Sequence, residues 1–273
     1  MNRTGLYIAL ALTLVFGLIF TLFPSLDLKI AALFYDPKTR IWPMGQVHWA
    51  IIARSAAMWL AWAFVIPSIL AVLVKLFWPT RPLVISGRAI LFLLGSILIS
   101  AVLLSNVTFK TFWGRPRPAH VVEFNGDKQF VPWWDPEGTC PRNCSFFSGE
   151  GVTAFWTYAP AALTPPQWRP VAYVAATLFG IFTGGLRMTF GGHFATDVIA
   201  SGLVSFFVIW VLYALIYRWP STRITDYDVD VWLTRLAWPG YRWRQKRFGL
   251  DIGPVPRLRQ SPKTGRTGPA RTT

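Results

Sequence analysis

The chain has 273 residues, 53% of them hydrophobic and 14% charged, with a mean hydropathy of +0.40. An ordinary soluble domain carries about 25% charged residues, so composition excludes that class before any motif is read. The net charge of +15 does not point to nucleic acid either. The basic residues flank apolar runs or gather in the C-terminal tail, as they do when facing anionic lipid headgroups.

Six apolar segments predict an all-α polytopic membrane protein with six transmembrane helices. Residues 6–23, 55–74, 89–107 and 198–217 carry no charge, and each has about the 20 residues that cross a bilayer as a helix. Residues 171–186 form a shorter run, and 148–163 a short one interrupted late by Pro160. Arg3 ahead of the first run looks like the start of a signal peptide. However, no small-x-small cleavage site follows "FTLFPSLDL", and the run is long for such a peptide, so a retained anchor is expected. The membrane domain is therefore read as 1–218 and a basic cytoplasmic tail as 219–273. The tail opens on a Trp/Arg-rich amphipathic stretch suited to the inner leaflet and its anionic lipids. It ends in "RQSPKTGRTGPARTT", whose composition predicts disorder.

Lysine and arginine placement sets the orientation. With the N-terminus inside, Lys75, Arg81 and Arg88, the "TPPQWRP" loop and the tail are cytoplasmic. The opposite face then holds 24–48, 110–147 and 187–193. That face breaks the positive-inside pattern with "KTFWGRPRP", as an anionic ligand there would explain. Its loop also carries both cysteines, Cys140 and Cys144, a candidate disulfide in an oxidising compartment. No further ligands accompany them, so no metal site is expected.

Three polar clusters fall on this outer face. The first supplies Lys110, Arg115 and Arg117; the second, "FSGEG", supplies Ser148, Gly149 and Glu150; the third supplies Arg187, His193 and Asp197. Guanidinium and ammonium groups clamp phosphate oxygens. A helix start offers a hydroxyl and N–H groups to an anion. His193 and Asp197, four apart, share a helix face, so the carboxylate can hold one ring nitrogen and free the other as a nucleophile.

The spacing Lys110-x6-Arg117-Pro118, Ser148-Gly149, and Arg187-x5-His193-x3-Asp197 resembles the type 2 phosphatidic acid phosphatase (PAP2) superfamily. Its signature is K-x6-RP, PSGH and SR-x5-H-x3-D. The resemblance implies a helical core, His193 as a nucleophile forming a phosphohistidine, and Asp197 as its orienting partner. It implies Lys110, Arg117, Ser148, Gly149 and Arg187 as phosphate ligands, with no metal or other cofactor. Soluble vanadium haloperoxidases share the signature, but six apolar runs exclude that branch.

Three motif positions depart. Leu186 replaces the serine before Arg187. Phe147 and Glu150 replace the proline and histidine of PSGH, and that histidine protonates the leaving alkoxide in the family. Glu150 is the candidate replacement acid, with His120 as the alternative. A third reading is that a good leaving group needs little acid help. This favours lipid A 1-phosphate or a polyprenyl diphosphate as the phosphorylated membrane lipid, and "SFxSGE" is similar to lipid A 1-phosphatase-like members. The expected protein is a phosphatase of a bacterial inner membrane with its site facing the periplasm. A phosphotransferase using the same residues and an inactive lipid-phosphate binder or transporter are the alternatives.

Overall fold

The computed structural model describes residues 1–250, so the disorder expected for 259–273 lies outside the described residues. Described residues form helices α1 (Arg3–Leu22), α2 (Ser25–Ala32), α3 (His48–Phe77), α4 (Gly87–Phe112), α5 (Gly149–Phe155), α6 (Tyr158–Leu163), α7 (Arg169–Thr189), α8 (Ala195–Arg218) and α9 (Asp226–Arg247). Five of these, α1, α3, α4, α7 and α8, are long and apolar enough to cross a membrane. Every backbone polar group must be satisfied in lipid, and a continuous helix does this within one segment.

The run at 148–163 departs from a single span. It folds as two short helices, neither long enough to cross alone, broken at Trp156 and Thr157. Pro160 does not cause the break. It sits in the first turn of α6, where a missing N–H costs nothing. The pair is wedged into the bundle: α5 packs on α7 and α8, and Trp156 is fully buried with its indole N–H donating to Ser96 Oγ at 2.8 Å. Close approach is built in at Gly180 of α7, where a Cβ would meet the Phe155 ring at about 2.2 Å.

Part of the stretch read as tail belongs to the folded body. Helix α9 starts at a Thr225–Asp228 capping box and lays Val229, Leu233 and Trp238 against α3 and α4. Its far side shows Trp232, Leu236 and Trp243 to the surroundings, an amphipathic division suited to a membrane surface.

At the other end of the bundle, α2 and the long α4–α5 connection form a cap. Its small core joins Ala31, Val121, Phe124 and Phe194, with Tyr35 and Trp42 packed alongside. This cap stands over the point where α7 ends and α8 begins.

Candidate active site

Five helices bring their polar ends to this capped side. Arg54 lies in the second turn of α3, Lys110 at the end of α4, Glu150 at the start of α5, Arg187 in the last turn of α7, and His193 just before α8. The C-terminal half of α4, Leu98–Phe109, is wound as a π-helix, a form often found near functional sites. It delivers Lys110 beside Gly149, where an added Cβ would stand about 2.7 Å from the ammonium. Lys110 makes no ion pair or side-chain hydrogen bond among the described residues.

His193 is 2% exposed. The turn before it needs Gly191 at φ +63°, a left-handed conformation that glycine enters without strain. Nδ1 lies 2.8 Å from the Ser145 carbonyl and 3.5 Å from Asp197 Oδ2. The carbonyl is therefore the direct acceptor of Nδ1–H, and Asp197 stands behind it. The His193–Asp197 contact expected from the spacing is present, with the Ser145 carbonyl as a closer acceptor that the spacing did not reveal. Donation from Nδ1 leaves the Nε2 lone pair free. Burial pushes the imidazole down to about 4, against the opposing pull of Asp197. The ring is thus neutral, and able to act as a nucleophile, at ordinary pH.

Asp197 is tied up elsewhere. It accepts from the Ser145 hydroxyl at 2.5 Å, from the Phe194 N–H at 2.8 Å and from Arg115 Nη1 at 2.6 Å. Arg115 is fully buried, reaches Asp27 of α2 at 2.7 Å, and lies over the Phe194 ring. Although it belongs to the basic cluster read as a phosphate clamp, it faces inward, and its partners are two carboxylates, the Thr196 hydroxyl and the Val131 carbonyl.

The remaining cations do converge. Arg117 is fixed by Asn143, through the backbone carbonyl at 3.0 Å and the side-chain oxygen at 2.8 Å. Asn143 sits in the ring closed by the joined Cys140 and Cys144, whose Cα atoms are 5.7 Å apart. Arg187 is buried, and its Nε has no hydrogen-bond partner. Ser148 caps α5, its Oγ accepting from the Gly151 N–H at 3.1 Å, and its carbonyl accepts from Ser201 at 2.8 Å.

Glu150 is gripped by Arg54, with Nε at 2.8 Å and Nη2 at 2.5 Å from its two oxygens, and lies 3.5 Å from Arg187 Nε. Burial alone would raise the carboxyl. The Arg54 hydrogen bonds and the Arg187 charge outweigh it and hold the group below its usual range. A carboxylate ionised in this way has no proton to give, so the replacement-acid role is not supported by this geometry. The ring of His120, the alternative donor, is exposed and bonds to none of these residues. Sequence reasoning missed Arg54, Asp27 and Ser145. The one available signal was a lone arginine opening the apolar run at 55. Among the described residues, no group of acidic, histidine or cysteine side chains is arranged to hold a metal.

Comparison with known proteins matches residues 89–221 to the PAP2 superfamily. The chain is 34% identical over 225 residues to a lipid A 4'-phosphatase of Francisella tularensis subsp. novicida, covering 80% of this chain and 98% of that one. It is 38% identical over 122 residues to proteins of the same name from Rhizobium leguminosarum and Rhizobium etli, spanning 45% of this chain and about half of each of those. No solved structure matches the chain.

Proposed function

The chain belongs to the PAP2 superfamily and is a membrane lipid phosphatase, a phosphoric ester hydrolase; we propose that it removes a phosphate monoester from lipid A at the periplasmic face. The relatives' names turn the reading toward the 4'-phosphate and away from the 1-phosphate favoured by leaving-group arguments alone. The observation that carries the proposal is an unsatisfied cationic cradle beside a neutral buried histidine. Among the described residues Lys110 has no ion pair or side-chain hydrogen bond, and Arg187 Nε, 3.5 Å from the Glu150 carboxylate, is buried without a hydrogen bond.

In this mechanism Lys110, Arg117 and Arg187 bind the phosphoryl oxygens and hold phosphorus in line with Nε2 of His193. Nε2 attacks, the P–O bond to the sugar breaks, and a phosphohistidine forms. The Nδ1–H bond to Ser145 stabilises the charge that the ring acquires, and Asp197 reinforces it electrostatically. The departing alkoxide develops its charge beside the cations of the cradle, an electrostatic aid of the kind that donors preorganised for the transition state provide. The alkoxide takes a proton from water, and the hydroxide equivalent so generated attacks the phosphohistidine, releasing inorganic phosphate and restoring the neutral ring.

The test is mass analysis of lipid A carrying both phosphates after incubation with purified protein, with His193→Ala beside it. Undecaprenyl diphosphate and phosphatidic acid serve as competing substrates. Loss of the 4'-phosphate only, abolished in His193→Ala, is the expected result. Loss of the 1-phosphate only would return the reading to the anomeric position. Phosphate passed to a second lipid would make the protein a transferase.

A further inference from the structure

A second site lies away from the catalytic end. Between α1, α6, α7 and α8 runs a cleft of about 1010 Å³, at the top of the range of about 300–1,000 Å³ usual for ligand pockets. Its walls are apolar, with Leu12 and Phe16 from α1, Phe155 from α5, Ile181 from α7, and Ile199 and Phe206 from α8. Helix α7 climbs from Arg169 to Arg187 at the catalytic end, and α8 descends from His193 to Arg218. Arg169 and Arg218, both on the cleft, therefore mark the opposite end of the bundle, roughly 35 Å away along α8 at 1.5 Å per residue.

Three features separate this cleft from a plain gap between helices. No acidic side chain lines it, and neither Arg169 nor Arg218 forms an ion pair among the described residues. Arg169 commits only its Nε, to the Thr164 carbonyl at 2.8 Å, and Arg218 stacks on Trp210. One turn inward from Arg169, the hydroxyl of Tyr173 is buried in the wall without a hydrogen-bond partner. By contrast, the Tyr158 hydroxyl in the same wall is satisfied by Thr177 Oγ1 at 2.9 Å. Tyr173 springs from α7 one helical turn, about 6 Å of backbone rise, inward of Arg169, a spacing that suits the ester oxygens below a glycerophospholipid's phosphate.

We propose that this cleft binds an anionic diacyl phospholipid from the leaflet opposite the catalytic face. The lipid phosphate lies between Arg169 and Arg218. An ester oxygen accepts from Tyr173, and an acyl chain runs up the wall toward Ile199. The site is separate from the substrate cradle, and binding there does not require hydrolysis.

Native mass spectrometry of detergent-purified, delipidated protein tests this with phosphatidylglycerol, phosphatidylcholine and inorganic phosphate as probes. Phosphatidylglycerol should bind with unit stoichiometry and outcompete phosphatidylcholine. The Arg169→Ala/Arg218→Ala double variant should weaken it by about thirtyfold, and Tyr173→Phe by a few-fold. Ile8→Trp, which narrows the cleft from α1 with both arginines in place, should lower occupancy while leaving the thermal transition intact. It also serves as the arbiter if the double variant fails to fold. Equal binding of both lipids, insensitive to these changes, would mean ordinary boundary lipid and overturn the proposal. So would displacement by inorganic phosphate. The His193→Ala protein should retain the lipid in full, so failure of the catalytic reading and failure of this one are read separately.

Discussion

Two charge triads stand within the capped end, and they are mirror images in stoichiometry. Asp27–Arg115–Asp197 places one cation between two anions, with all three side chains essentially sealed from solvent. Arg54–Glu150–Arg187 places one anion between two cations, with Arg54 41% and Glu150 22% exposed. The first is closed in its hydrogen bonding: Thr196 and Ser145 fill the positions that Arg115 leaves. The second leaves Arg187 Nε without a hydrogen bond, held only by the 3.5 Å ion pair to Glu150, and, with Lys110 and Arg117 nearby, retains a surplus of positive charge. A closed triad holds a structure together. An open one holds capacity for an anion.

Breaking the closed triad should have the largest effect. Arg115→Met removes the shared partner and leaves two buried carboxylates facing each other. Breaking a buried pair in this way costs about 3–5 kcal/mol, enough to depopulate the fold of a marginally stable protein. Thermal unfolding in detergent should show the transition greatly lowered or lost. An unchanged transition would mean that the triad is not sealed as described. Next comes Arg187→Ala, which opens the cradle without touching the closed triad. It should fold normally and lose about 10²–10³-fold in kcat/KM, the usual effect of removing a donor that acts on the transition state. Arg187→Lys should recover only part, since the planar fork is lost.

The nucleophile itself supplies a pH test of intermediate size. Only neutral His193 can attack phosphorus, and its folded-state value is depressed to about 4. From below, kcat/KM should rise about tenfold per pH unit up to about pH 4 and then level off. Because this value lies below that of an unfolded histidine, near 6.5, stability linked to His193 is complete above that value. It falls as pH drops through the window between 6.5 and 4. An acid limb centred near 6.5 would mean that the ring is solvated rather than buried.

The two triads also show what the sequence made legible. Lys110, Arg117, Arg187 and His193 lie within short motifs at apolar boundaries, so spacing and charge placement alone put them on one membrane face. Asp27 and Arg54 come from helices 88 and 96 residues before their partners, and no local pattern encodes such a pairing. Arg115 shows the limit from the other side. It shares a motif with Lys110 and Arg117, yet Gly114 at φ +67° and the two prolines turn it inward, and basicity alone does not tell the two directions apart. The break at Trp156 was hidden for a similar reason. Pro160 is the conspicuous helix breaker, whereas burial of a tryptophan against Ser96 is a tertiary event.

Glu150→Gln has the smallest expected effect and separates the two accounts of the open triad most sharply. The Arg54–Glu150 pair is partly exposed, so its loss should change stability by only about 0–1 kcal/mol. If Glu150 donated the leaving-group proton, the substitution would lower kcat by about 10²–10⁴-fold and remove any basic limb from the pH profile. In the arrangement described here the carboxylate is ionised and partly neutralises Arg54 and Arg187. Removing its charge should leave kcat within a few-fold and tighten inhibition by inorganic phosphate, because the cradle gains one net positive charge. Rate and product inhibition measured together decide the matter. A collapsed kcat with unchanged phosphate inhibition would restore Glu150 as the acid, whereas a preserved kcat with stronger inhibition would make it the counter-ion that lets product leave.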